Sequence, residues 1–378
     1  MKVRRVRYQT MVGGALVVLA LLVAGCAGDG DTADAPDTTA ATVSSTEAAL
    51  PFAGQELRVQ VWPGSYEDVY VEYVFSKFSE LTGATVVPST TYEFIAVPQI
   101  QQEVDSGDPQ VDVSVLLPSD VVRAGELGLL EPLTEENVPN LATLRPQARE
   151  LLPAGAGYLV YTYGFGVRTD IEERVGFKPE CWSDLFDPRL EGRIATGLTV
   201  PTYTIQQMNL ALYGELTPIQ EGSWEKLDEL LPNIQALYPS PAGMEDALVR
   251  GEADVAIVFD GRIWAMADAG VPVEFISPCE GAYANQDFFG IVKGTKNLDL
   301  AYEFVNFALG AQAQRDVALN LAYGPTSLEA QFDDSELGRF VYGDEAWDTL
   351  AFEDFLYVAE VAGDWTDRWN EWAAKLGG

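Results

Sequence analysis

The residues able to do chemistry in this 378-residue chain are carboxylates and aromatics. There are 58 Asp and Glu against 23 Lys and Arg, with 16 Tyr, 8 Trp and no histidine. Without an imidazole, Ser-His-Asp and Cys-His catalysis, His-ligated zinc and histidine acid–base chemistry are excluded. No G-x-x-x-x-G-K-S/T or G-x-G-x-x-G stretch offers a phosphate cradle. Paired carboxylates are the chemistry of glycoside hydrolysis, but nothing in the sequence singles out an acid/base pair. The chain therefore reads as a binder. Its formal net charge of −35 rules out charge-driven binding of nucleic acid or of an anionic membrane. That charge fits a solubilising surface, with attraction of small cations as the alternative.

The elements that must position such groups follow from periodicity. Leu57–Trp62 alternates as a strand and Pro63-Gly64-Ser65 breaks it. Ser65 is placed to cap a helix with apolar positions Val71, Val74, Phe75, Phe78 and Leu81 and a stop at Gly83. Ala84–Pro88 reads as a strand, Val97–Ser106 as helical and Val111–Leu116 as a strand. This alternation predicts a largely parallel α/β sheet, whose ligands sit beyond the carboxyl ends of the strands. The turns Trp62–Tyr66 and Leu117–Asp120 lie at such ends. Further strands are expected at Arg193–Ala195, Asp254–Phe259 and Phe288–Val292. Helices are expected at Ile205–Leu212, Trp224–Leu231, Leu300–Leu309 and Gln312–Leu319. Trp365, Trp369 and Trp372 stand at i, i+4 and i+7, which is the spacing of a core stripe.

The amino terminus adds a location. Lys2, Arg4, Arg5 and Arg7 precede an apolar run from Met11 to Ala24, then Gly25 and Cys26. This is the order of a secretion signal, too short to span a membrane. Val23-Ala24-Gly25-Cys26 resembles the lipobox of bacterial lipoproteins, which implies lipidation of Cys26 and an extracytoplasmic protein held to the membrane by lipid alone. Losing the four basic residues of the leader takes the charge to about −39. Residues 26–54 are dominated by small and polar side chains and read as a flexible tether. In an oxidising compartment Cys181 and Cys279 form either one disulfide or two separate buried thiols.

Four stretches carry a family resemblance. They are Phe78–Gly83, Trp182–Arg193, Gly251–Ala256, and Pro278–Ala282 with Lys293–Asn297 and Ala301–Phe307. In this order they resemble the spermidine/putrescine-binding branch of the solute-binding proteins of ABC importers. The resemblance implies a two-lobed, type II periplasmic-binding-protein-like α/β fold with a ligand cleft between the lobes. It implies a leader at 1–25, a tether at 26–54, a first lobe at 55–163, a second at 164–282 and a return at 283–378. The chain would cross near Tyr163–Val167 and come back near Gly281–Asp287. It further implies a monomer that performs no chemistry, needs no cofactor or metal, and hands a small amine-bearing solute to a membrane permease.

A protonated amine needs carboxylates for its charge and aromatic faces over its methylenes. By position relative to these motifs the candidates are Trp62, Ser65, Tyr66, Ser119, Asp120, Tyr203, Phe259, Asp260, Asp287 and Tyr323. Asp287 matches the family's amine-binding aspartate; its alternative is a hinge aspartate capping local backbone. Asp260 reads equally as an Asp-Gly turn, and Asp120 as the cap of a helix starting at Val121. Trp62 and Tyr66 read alternatively as core aromatics. Two departures stand out: Asn285 replaces a tryptophan, and Val200–Thr204 lacks the acids expected there. With Arg262 beside Asp260, an amino-acid-like zwitterion such as γ-aminobutyrate is the competing solute. The chain lacks the adjacent tyrosine pair of an iron binder. An extracellular hydrolase would need two carboxylates facing one cleft.

Overall fold

The computed structural model describes residues 50–89, 96–197 and 201–377. The leader, Cys26, the tether up to residue 49 and Val200 lie outside the described residues. The strands are β1 (Glu56–Gln60), β2 (Thr85–Ser89), β3 (Val113–Leu116), β4 (Leu130–Glu131), β5 (Ala156–Arg168), β6 (Ile194–Gly197), β7 (Ile234–Tyr238), β8 (Val255–Phe259), β9 (Val273–Ile276), β10 (Ala282–Val292), β11 (Gly324–Pro325) and β12 (Leu350–Phe352).

All twelve join one sheet, ordered β2-β1-β3-β10-β5-β8-β6-β7, with β4 and β12 on β10 and β9 and β11 on β5. The outer strands are parallel as expected: β2, β1 and β3 on one side, β8, β6 and β7 on the other. The centre is not. Strands β5 and β10 run antiparallel to each other, β10 is antiparallel to β3, and β5 to β8. A chain that passes from one half to the other and back must lay its two crossing strands in opposite directions.

Strand β5 changes partners along its length. Its residues Ala156–Tyr163 pair with β10, and Tyr163–Val167 pair with β8. These two strands are long and buried on both faces, so neither shows a regular polar–apolar alternation, and β10 buries Asn285, Gln286 and Asp287 in its middle.

The helices that matter for the site start at carboxyl ends of strands. After β1, Gly64 takes φ 86, open to glycine at little cost, and α1 (Ser65–Val69) begins. Ser65 is thus the first helical residue and makes no cap bond, contrary to expectation. A π-helical stretch, Tyr70–Phe75, follows, and then α2 (Ser76–Thr82) ending at left-handed Gly83. The wider π turn shifts the phase of the helix. Tyr66, Tyr70, Val74 and Phe78 face inward, whereas Val71 and Leu81, read as apolar contacts, are exposed.

Helix α3 (Ala96–Ser106) follows β2, and α4 (Pro118–Glu126) follows β3. Helix α4 begins three residues before Val121, so Asp120 lies in its first turn and does not cap it. In the second half come α5 (Ile171–Val175), α6 (Pro201–Tyr213), α7 (Glu221–Leu230), α8 (Pro241–Arg250) and α9 (Asp260–Asp268). The chain closes with α10 (Leu298–Ala308), α11 (Ala311–Leu321), α12 (Asp344–Asp348) and α13 (Phe355–Ala374).

Trp365, Trp369 and Trp372 of α13 are buried in the main core, and the Trp372 indole donates to the Leu227 carbonyl of α7. Cys181 and Cys279 are disulfide-bonded. Beside them the Glu280 carboxylate accepts from the Trp182 and Ser183 amides. The lead-in to β10 is therefore tied to the start of the second half.

One close approach joins α9 to the segment after α11. A Cβ added at Gly261 would stand 2.4 Å from Tyr323 Cε1 and 2.5 Å from the Leu321 carbonyl oxygen. Because one of these obstacles is backbone, Gly261→Ala is expected to cost about 1–3 kcal/mol of overpacking. Urea denaturation of variant and parent checks this.

Candidate functional site

Asp287 lies on β10, where the register with β5 slips between Asp287 and Phe288. Its carboxylate is buried, and one oxygen, Oδ2, accepts from Trp62 Nε1 at 2.9 Å and from the Tyr66 hydroxyl at 3.3 Å. Burial pushes its pKa up to about 7, against the pull of the Trp62 and Tyr161 hydrogen bonds. No Lys or Arg figures among the groups acting on it. Trp62 is half-buried at the end of β1, and Tyr66 stacks on Tyr70 with ring centroids 4.8 Å apart.

An aromatic wall continues from there. Tyr161 packs edge-on against Phe259 at 5.1 Å and next to Tyr323 at 5.6 Å. Tyr203, from α6, packs against Phe259 at 5.2 Å and Tyr283 at 5.5 Å, and its hydroxyl lies 3.2 Å from that of Tyr161. Burial holds the Tyr203 hydroxyl well above its ordinary range, and three acids from three elements add to this: Glu353, Asp287 and Asp120. Three carboxylates thus bear on one phenol.

Asp120 is half-buried, and burial raises its pKa to about 6 against the pull of Arg123. Glu353 is buried directly after β12. It accepts from Gln206 Nε2 at 2.9 Å, from Asn285 Nδ2 at 3.1 Å and from the Tyr283 hydroxyl. Burial raises its pKa too. The Asn285 that departs from the family pattern is thereby one of the three donors to Glu353.

The structure brings together Trp62, Tyr66, Asp120, Tyr203, Phe259, Asp287 and Tyr323 of the ten residues singled out in the sequence. Ser65 is exposed, and Ser119 is half-buried in the first turn of α4. Asp260 is spent internally. It accepts from the Thr162 amide at 3.1 Å, the Thr162 hydroxyl at 2.8 Å and the Gly261 amide at 2.8 Å, which binds the start of α9 to β5. Its pKa also rises to about 7 through burial.

Arg262 meets Glu245 of α8 at 3.5 Å, a single long contact, and its charge acts on the Tyr323 hydroxyl. The residues that sequence reasoning missed are Glu353, Tyr161 and Tyr283. The period-two spacing of Tyr161 and Tyr163 was a signal for the first tyrosine; Glu353 had none. Cys181, Cys279 and Glu280 are the one metal-sized grouping among the described residues. Its thiols are oxidised and its carboxylate takes two amides, so it does not fit a metal.

Comparison with known proteins places this geometry. Residues 74–337 match the family model described as bacterial extracellular solute-binding protein. A γ-aminobutyric acid-binding protein of Pseudomonas aeruginosa is 27% identical over 290 residues, covering 74% of this chain and 79% of that one. The spermidine/putrescine-binding periplasmic protein of Salmonella typhimurium is 25% identical over 277 residues, covering 69% and 77%. An uncharacterized protein of Haemophilus influenzae is 32% identical over 224 residues, of which the chain spans 62% of the length. An ABC transporter substrate-binding protein from Bradyrhizobium japonicum superposes with a TM-score of 0.74 at 22% identity, covering 84% of this chain and 99% of that one. The chain belongs to the bacterial extracellular solute-binding family, whose members bind solutes and are not enzymes, and its fold is the two-lobed type II fold.

The raised pKa of Asp287 has a sign that can be worked out. A carboxyl that ionises near 4 when unfolded and near 7 when folded favours the fold while protonated. That contribution is complete below pH 4 and is lost as pH rises through 7. Both ring donors reach the same oxygen, so an amide oxygen can receive them. Asp287→Asn is therefore expected to stabilise the ligand-free protein by roughly 2–4 kcal/mol at pH 8 and to change little at pH 4. Urea midpoints at the two pH values check it.

Proposed function

We propose that this member of the extracellular solute-binding family captures a small amine-bearing solute, foremost a polyamine such as putrescine or spermidine, and presents it to an ABC permease. The observation that carries this reading is the buried Asp287 carboxylate, which takes Trp62 and Tyr66 on one oxygen, while the charges of Asp120 and Glu353 bear with it on Tyr203. Burial penalises each of them, and a single Arg, Arg123, offsets one. A dication placed there supplies the missing positive charge, and the faces of Trp62, Tyr161, Tyr203 and Phe259 suit its methylenes. Closure of the two lobes on it excludes water and strengthens each contact. Ligand bound better by the closed state shifts the protein toward that state, which is the signal the permease reads. We assign residues 55–163 and 283–378 to one lobe and 164–282 to the other.

A second reading has an observation of its own. Arg262 makes one 3.5 Å contact with Glu245 and acts on Tyr323, so a solute carboxylate could take up its guanidinium while Asp287 takes the amine. That describes a zwitterion of the γ-aminobutyrate type.

A thermal-shift panel on the purified full-length protein separates the two. At about a hundred times its dissociation constant a solute stabilises by roughly 2.7 kcal/mol, a shift of several degrees. Putrescine or spermidine should give that shift and Asp287→Ala should remove it. A shift from γ-aminobutyrate alone, lost in Arg262→Ala, selects the zwitterion. Since Asp287 must be ionised to receive an amine, affinity is expected to fall up to about tenfold per pH unit below 7, with proton release on binding. Calorimetry at pH 6 in buffers of differing ionisation enthalpy reads that release.

We further propose that Cys26 is lipidated after removal of residues 1–25 and anchors the protein outside the cytoplasm. No helix of the described residues is long and apolar enough to cross a membrane. Labelled palmitate should enter the parent protein in cells, and Cys26→Ser should take up none.

A further inference from the structure

Strand β5 carries one residue more than β10 at the slip in their register. Leu159 pairs with Asp287 and Gly157 pairs with Phe288, leaving Tyr158 as the extra residue on its strand. A bulge of this kind re-aims the side chain it carries, and bulges gather next to functional sites. Here the ring is fixed on both sides. It stacks on Phe289 with centroids 3.8 Å apart and meets Tyr70 edge-on at 6.0 Å. The residue is 2% exposed, yet its hydroxyl has no hydrogen-bond partner among the described residues. A buried hydroxyl left unpaired costs about 1–3 kcal/mol, so a rigid one is expected to have a partner in some state of the protein.

We propose that Tyr158 is a solute-contacting residue: set by the bulge beside Asp287, it offers its unpaired hydroxyl to the ammonium group that Asp287 receives. The proposal rests on the amine reading above. Two observations agree on where the hydroxyl points. It belongs to the residue opposite the step from Asp287 to Phe288. The Asp287 carboxylate and the Tyr323 hydroxyl are the two groups whose charge bears on it, and both border the aromatic wall. Burial and these neighbours hold Tyr158 well above its ordinary range, so it stays a neutral phenol that can accept a hydrogen bond.

The need is equally specific. A primary ammonium has three N–H donors to place. Asp287 Oδ2 already takes Trp62 and Tyr66, which leaves the carboxylate short of lone pairs for all three. A neutral acceptor alongside completes the set. It also favours a primary amine over one whose nitrogen carries methyl groups in place of hydrogens.

Tyr158→Phe in the full-length protein keeps the stack on Phe289 and removes the one atom in question. Calorimetric titration of parent and variant with putrescine, spermidine and γ-aminobutyrate at pH 8, with melting curves of the ligand-free forms, tests the role. The expected result is affinity weakened about tenfold or more, with a ligand-free melting temperature unchanged or higher. Dissociation constants within twofold of the parent overturn the proposal and leave the hydroxyl to a bound water. A variant that melts several degrees lower and binds weakly also overturns it, because the hydroxyl then serves the fold. If the parent itself binds none of the three, the amine reading falls and this role falls with it. A parent that binds beside an unaffected variant leaves the amine reading standing and removes only Tyr158.

Discussion

A carboxylate enclosed by aromatic rings pays a desolvation penalty of several kcal/mol unless a positive charge or enough donors sit beside it. Asp287 takes Trp62 and Tyr66 on one oxygen and is also drawn on by Tyr161, but no Lys or Arg is among the groups acting on it, so burial pushes its pKa up to about 7. Everything that surrounds it follows from keeping that balance. Trp62 and Tyr66 come from the turn after β1, Tyr161 from β5, and the acid itself from β10. A group this close to its neutral form responds strongly to an arriving cation, because the cation restores the ionised state that burial disfavours. Burial raises Asp120 and Glu353 as well, opposed by Arg123 at Asp120 and by three hydrogen-bond donors at Glu353.

The sheet explains how such a site stays assembled in a protein of two lobes. Both crossing strands are long and wholly internal, and they lie side by side where Tyr163 hands β5 from β10 to β8. Asp287 sits on one of them, so it is fixed relative to both halves. The partners supplied by a single half are Trp62 and Tyr66 from one and Tyr203 and Phe259 from the other. Gly261 permits the close approach of α9 to the segment after α11, since any side chain there would drive α9 away from Tyr323.

How much of this the sequence disclosed depends on whether the signal was local. The strand–turn–helix start at Trp62–Tyr66 and the tryptophan stripe of α13 lie within short windows, and the structure places them as expected, whereas Asp287 lies inside β10 and not ahead of a strand starting at Phe288. On the first helix Val74, Phe75 and Phe78 are buried as expected, but Val71 and Leu81 are exposed because a π turn between Tyr70 and Phe75 shifts the phase, and periodicity assumes an unbroken 3.6-residue turn. The parallel sheet was overdrawn because β5 and β10 are buried on both faces and show no alternation to betray their direction. Asp260 read equally as a ligand group or as an Asp-Gly turn; only the fold shows that Thr162 and Gly261 take up its oxygens. Glu353 reaches the site through the pairing of β12 with β10, a contact between segments some seventy residues apart, for which no local pattern exists.

The disulfide between Cys181 and Cys279 closes a ring over a sequence separation of 98 residues, and that ring contains β6 to β9 and α6 to α9. Its two ends meet beside the strands that carry Tyr161 and Asp287. A single proteolytic cut at any bond inside the ring would leave both pieces joined, with the entry and exit of the segment still held together. Strand β10 would keep its lead-in even as the distal part of the ring opened. For a protein exposed to whatever enzymes share its surroundings, damage to the second half is thereby kept from becoming loss of the whole.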